Sequence, residues 1–212
     1  QTPLPDRIAA VRERLYYAAL FLGVSVALVA AFRVDKHLAT DGAHYFATIA
    51  DTGGFLRVDP TRWAAETLIQ WPLVAAVRAG VTSIPALKAV FALGTFLSWA
   101  LSFALCLFAT RREGSAPLAL PILAMAAVCL PADFILAGEH HVMVLLAPPI
   151  LLLVLRREAP TWGDGAALVA SLLAFAWSYP TAILPSLLFA ALLGARLRFD
   201  RSSRRATAIR AA

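Results

Sequence analysis

The sequence predicts an all-α, polytopic membrane helical bundle of about six spans, and three observations carry that expectation. Hydrophobic residues make up 60% of the 212, charged residues only 15%, and mean hydropathy is +0.74, too apolar for an ordinary soluble domain. Uncharged runs of 18, 22, 19 and 31 residues occupy 15–32, 89–110, 114–132 and 165–195, against the roughly 20 residues needed to cross a bilayer. Lys and Arg cluster at alternate ends of these runs. With the N-terminus inside, 13 of the 19 fall on the cytoplasmic side: Arg7, Arg12, Arg14, Arg111, Arg112, Arg156, Arg157 and the six arginines from Arg196 to Arg210. The positive-inside rule then favours six spans with both termini cytoplasmic. The net charge of +6 is accordingly a topology signal, and no nucleic-acid partner is expected.

The first run, 15–32, reads as an uncleaved signal anchor, because no convincing small-residue cleavage site accompanies it. From 33 to 88 the chain stops being uniformly apolar and forms one outer, interfacial segment. Within it Asp41, His44, Tyr45, Thr48 and Asp51 or Thr52 recur at three-and-four spacing, with Phe46, Ile49 and Ala50 on another face. That pattern predicts a helix lying along the surface. Gly53-Gly54 ends it, and Asp59-Pro60 reads as an N-cap with Pro at N1, opening a second helix through Trp63, Glu66 and Gln70. Trp63 and Trp71 suit the membrane interface. The stretch 67–77 holds only 11 uncharged residues and includes Pro72, so it predicts an interfacial or re-entrant helix rather than a span.

Further spans are expected at 89–110, 117–138 and 140–155. The last has 14 uncharged residues from Val142 onward and carries Pro148-Pro149. That is about 21 Å of helix, which must be bent or tucked against protein. The 31-residue run divides into spans 165–178 and 181–196 by a turn near Ser178-Tyr179-Pro180-Thr181, since a single span would put the arginine-rich tail outside. Cys106 and Cys129 lie inside apolar runs, where thiols are packing residues, so neither a disulfide framework nor a zinc site is implied.

The series Asp41-Gly42, Tyr45, Ile49-Ala50, Gly54-Phe55, Arg62 and Trp71-Pro72-Leu73, placed directly after the first span, resembles the first outer loop of GT-C superfamily glycosyltransferases, in their mannosyltransferase-like bacterial branch. The resemblance covers about residues 10 to 90; beyond them it is a hydropathy outline. Gly42 departs from the pattern, because many members carry a second acid there, and the chain corresponds to the front half of longer members. The resemblance implies an integral protein of a bacterial cytoplasmic membrane. Such a protein transfers a sugar from a polyprenyl-phosphate donor to an acceptor at the extracytoplasmic face, with Asp41 as the essential acid. It also places Glu139, His140 and His141 where some branches bring metal-binding or donor-binding acids.

That chemistry needs an acceptor hydroxyl deprotonated while a phosphate leaves the anomeric carbon. A carboxylate beside the low-dielectric membrane surface can act as the base, and Asp41 is the candidate. His44 and Tyr45 beside it are candidate substrate contacts. So is Asp133, because an acid at the end of a span needs a partner or water. Charge on the departing phosphate would be offset by Arg57, Arg62 or Lys36, or by a divalent metal ion held by Glu139 and His140. An apolar, membrane-open cleft for the prenyl chain is the expected companion of such a site.

Structural readings stand beside these. Asp41 is also a good helix N-cap, the two adjacent histidines do not share a helix face, and Arg57 and Arg62 can pair with Asp59 and Glu66. For the whole chain, the second reading is a non-catalytic subunit or scaffold among other membrane subunits, since short and kinked helices benefit from protein neighbours. A pigment protein and a transporter rank below both, as no histidine lies mid-span and no internal repeat is evident.

Overall fold

Every regular element among the described residues is helical, as expected. The computed structural model describes residues 4–38, 41–111, 118–124, 139–155 and 161–211. The order is α1 (Leu4–Arg33), a 3-10 turn (Lys36–Leu38), α2 (Asp41–Thr52), a 3-10 turn (Pro60–Arg62), α3 (Trp63–Arg78), α4 (Ile84–Thr110), α5 (Ala119–Ala124), α6 (Glu139–Leu155), α7 (Trp162–Ala176), a 3-10 turn (Pro180–Ala182) and α8 (Ile183–Ala211). The long apolar run at 165–195 breaks between α7 and α8. Pro180 has no N–H to continue the helix and drives Tyr179 to an extended conformation, φ −162° and ψ 147°, as the residue before a proline prefers.

Two helices among the described residues are long and apolar enough to cross a membrane, Val11–Arg33 in α1 and Ile84–Thr110 in α4. At 1.5 Å per residue they reach about 34 and 40 Å, against a hydrocarbon core of about 30 Å. The segments Val142–Leu155, Trp162–Ala176 and Pro180–Arg196 are apolar but shorter. Apart from α5, the expected span at 117–138 lies outside the described residues.

The pair α1 and α4 runs antiparallel, because contacts rise along one as they fall along the other. Phe21 stacks on Phe103 at 4.3 Å and on Trp99 at 5.3 Å, the Trp99 indole N–H donates to Ser25 at 3.4 Å, and Lys88 meets Asp35 at 2.7 Å. At its other end α4 is tied to α7 by Arg111 and Asp164, 2.8 Å apart. Asp164 is buried and also completes a capping box with Thr161, which gives the start of α7 two of its missing backbone partners. Ser102 of α4 donates to the Leu145 carbonyl of α6.

The deepest contact joins α3 to α4. Ala65, Ile69 and Leu73 form an i, i+4 stripe on α3 and are buried, and the helix lies so close to α4 that a Cβ built on Gly94 would stand 2.1 Å from the Ile69 carbonyl oxygen. The same core takes in Tyr45 and Ile49 of α2, Phe91 of α4, Val142 and Ile150 of α6, Phe175 of α7 and Phe189 of α8. Tyr45 therefore departs from the expected polar face of α2. It lies four residues before Ile49 and three after Gly42, and that trio forms the buried side, while Asp41, His44 and Asp51 stay exposed.

Adding one methyl group at the α3–α4 crossing is the sharpest test of this packing. Gly94→Ala forces backbone against backbone, so the full-length protein in detergent should lose at least about 1–3 kcal/mol of stability, read as a lowered thermal unfolding midpoint. A matched Gly23→Ala change on α1, where a Cβ would meet nothing within 4 Å, should leave the midpoint in place.

Candidate functional site

The segment between α1 and α4 is organised by α3, whose first two turns turn polar side chains back onto the loop that precedes them. Glu66 is 1% exposed and Gln70 is fully buried, so neither can rely on water for its hydrogen bonds. The loop supplies them. Gln70 accepts from the Leu56 N–H at 2.9 Å and donates to the Leu56 carbonyl at 3.0 Å. Glu66 accepts from the Val58 N–H at 3.0 Å and from Arg57 at 3.5 Å. Arg57 also donates to the Trp63 carbonyl and to Thr67, at 3.1 and 3.0 Å, and its guanidinium lies 4.6 Å from the Phe55 ring centre.

Of the pairings open to the two arginines, that of Arg57 with Glu66 is formed, because a buried carboxylate needs donors from inside the fold and the loop brings them. Arg62 sits over the Tyr179 ring at 5.1 Å, beside the contact between Trp63 and Trp177, and so packs the α7–α8 turn onto the start of α3. Asp59 does cap the turn at Pro60, accepting from the Thr61 N–H at 2.8 Å. That hydrogen bond holds its carboxyl below the usual carboxylate range.

Gly53 ends α2 with φ +64°, the left-handed conformation that glycine adopts without a Cβ penalty. Its carbonyl accepts from Arg78 at 2.9 Å. Asp41 opens α2 and is exposed, as is His44.

A cavity of about 600 Å³ lies between the C-terminal part of α1 and the first half of α4. Its walls include Val29 and Phe32 from α1 and Ala92, Leu93 and Phe96 from α4; its polar groups are Arg33, Asp35, His37 and Lys88. Asp35 follows α1 in a left-handed conformation, φ +57°, which short polar side chains tolerate better than most. That turn swings its carboxylate onto Lys88. The Lys88 hydrogen bond keeps the Asp35 carboxyl below its ordinary range.

His37 is 2% exposed, edge-on to Phe32 at 5.5 Å and near Phe91 at 6.0 Å. Neither ring nitrogen has a hydrogen-bond partner of good geometry among the described residues, although the Lys88 main chain passes close by. Burial is the main force holding its pKa below the ordinary histidine range, with Asp35 opposing.

The structure thus separates the residues the sequence singled out from the α1–α4 cavity. Asp41, His44, Tyr45, Arg57 and Arg62 are not among its lining residues. Tyr45 belongs to the core, and Arg57 and Arg62 hold the loop and the α7–α8 turn. Asp133 lies outside the described residues. Glu139 and His140 open α6, but their side chains are not described, and no cluster of three or more His, Cys, Asp or Glu able to hold a metal ion occurs among the described residues. The polar groups of the cavity had a faint sequence signal: the run Arg33-Val34-Asp35-Lys36-His37 closes the first apolar stretch, and Lys88 stands immediately before the next. Read as topology markers, they hid that the two apolar stretches are neighbours.

The loop clamp can be tested directly. Glu66→Ala removes the carboxylate that accepts from the Val58 N–H and from Arg57, at a cost of about 1–3 kcal/mol. Amides 55–58 should then exchange hydrogen at least tenfold faster than in the native protein, while those of α4 keep their protection.

No protein-family model, no curated protein and no solved structure matches this chain.

Proposed function

We propose that this chain is an integral membrane protein of the GT-C glycosyltransferase type. It moves a sugar from a polyprenyl-phosphate donor to an acceptor at the extracytoplasmic face, with Asp41 as the base and the α1–α4 cavity as the seat of the donor's lipid phosphate. One observation supports this most: an apolar cavity with a charged mouth lies between the two helices of membrane length, next to the segment that begins at Asp41. An amphiphile with an anionic head suits such a space better than a soluble metabolite does. Lys88 and Arg33 offset charge on the leaving phosphate, with a divalent cation at Glu139 and His140 as a further source.

In this reading the bundle has six spans in a bacterial cytoplasmic membrane with both termini inside: α1, α4, the segment 117–138, α6, α7 and α8. The shorter helices are accommodated by protein neighbours and local bilayer thinning.

A second reading, a non-catalytic subunit of a larger membrane assembly, is favoured by the position of Asp41 outside the cavity lining and by the engagement of Asp35 with Lys88. The two separate in one assay on the full chain in nanodiscs, using a radiolabelled polyprenyl-phosphate sugar. The transferase reading expects transfer that falls about 10²–10⁴-fold in Asp41→Asn, with donor binding within twofold of the native protein. Transfer that survives the substitution removes Asp41 from the mechanism. Absence of transfer by the native chain, together with co-purifying membrane partners, favours the subunit.

A further inference from the structure

His37 is the unexplained group in this fold. A buried imidazole normally finds a partner for each ring nitrogen; this one has none of good geometry among the described residues and lines the cavity. The groups around it set the local charge. Asp35 comes from its own turn, Lys88 from α4 and Arg33 from α1, so two cations stand against one carboxylate. Helix α2 packs on the same turn but turns Asp41 and Asp51 to solvent. Lys88 already binds Asp35 at 2.7 Å, yet an ammonium has three donors and can hold a second anion. Below this mouth the walls are hydrocarbon.

We propose that His37 is the proton-coupled anchor of the cavity: together with Lys88 it binds the phosphate of a lipid phosphate, and it takes up a proton as that phosphate enters. In the empty site burial favours the neutral imidazole, with Asp35 opposing. An entering dianion reverses that preference, since an opposite charge within hydrogen-bond reach stabilises the imidazolium. The proton comes from water, and no covalent bond changes. His37 becomes a donor at both nitrogens, one of them directed to a phosphate oxygen.

The direction of the pH effect follows from linkage. Phosphate raises the midpoint at which His37 titrates, so between the midpoint of the empty site and that of the filled site, binding consumes a proton. Affinity rises as pH falls through that window, until the phosphate monoester takes up its own second proton near about pH 6. Release is favoured by a rise in pH. His37 is here a positioning residue for the donor, and the inference rests on the lipid-phosphate reading of the cavity.

The test uses the full chain in nanodiscs of zwitterionic lipid, with farnesyl phosphate, farnesol and inorganic phosphate as probes, between roughly pH 5.5 and 8. Imidazole ¹⁵N resonances, assigned by comparison with His37→Gln, report the charge on the ring. Farnesyl phosphate should bind up to about tenfold more tightly for each unit the pH falls within the window and should shift the His37 titration upward. His37→Gln, with an unchanged unfolding midpoint, should lose that rise and keep only the dependence set by the phosphate's own second pKa near about 6. Flat binding by the native protein, or an unshifted His37 resonance, overturns the proton coupling and leaves the lipid-phosphate seat standing. Farnesol binding as tightly as farnesyl phosphate overturns the role of the phosphate. Equal affinity for inorganic phosphate assigns the site to a soluble anion and overturns the lipid. If none of the three probes binds, the cavity is no donor seat and the transferase reading loses its support as well.

Discussion

Gly94 lets the Ile69 carbonyl approach α4 more closely than any side chain would permit, and most of the segment between α1 and α4 takes its position from that approach. Once α3 is pressed against α4, the face carrying Ala65, Ile69 and Leu73 is buried. Glu66 and Gln70, on the adjoining face, are then removed from water with their hydrogen-bonding capacity intact. The preceding loop meets it, with residues 55–58 folding back over the helix. The hydrophobic contact and the polar clamp are therefore not independent contributions: the first creates the demand that the second satisfies.

Much of the helical framework could be read from the sequence because it depends on local rules. The apolar runs, the Asp59-Pro60 helix start, the Gly53 stop and the break at Pro180 each follow from backbone preferences that act over a few residues. The side chains of the cavity depend on which helices are neighbours, and local rules do not carry that information. Asp35 and Lys88 lie 53 positions apart and meet only because α1 and α4 run antiparallel. Tyr45 illustrates a subtler failure. At three-and-four spacing it belongs equally well with Asp41 and Thr48 or with Gly42 and Ile49, and tertiary packing, not periodicity, made the choice.

The candidate phosphate ligands show the same limit from the other side. Arg57 and Arg62 are the kind of residue expected to grip a phosphate, and their sequence neighbours include acids with which they could pair. The fold employs them differently. Arg57 ties three groups of α3 to the loop, and Arg62 lies on an aromatic ring contributed from 117 residues further along the chain. The cavity draws its cations instead from the ends of the two long helices, where sequence analysis counts basic residues as markers of orientation.

The two ion pairs at the ends of α4 are unlike in exposure. At one end Asp164 has a side chain only 3% accessible and is bound into a capping box, whereas at the other Asp35 is half exposed and held by Lys88. An exposed pair contributes about 0–1 kcal/mol, while removing one partner from a buried one costs several. Added salt therefore screens the pair at the Lys88 end of the helix far more than the one at its Arg111 end.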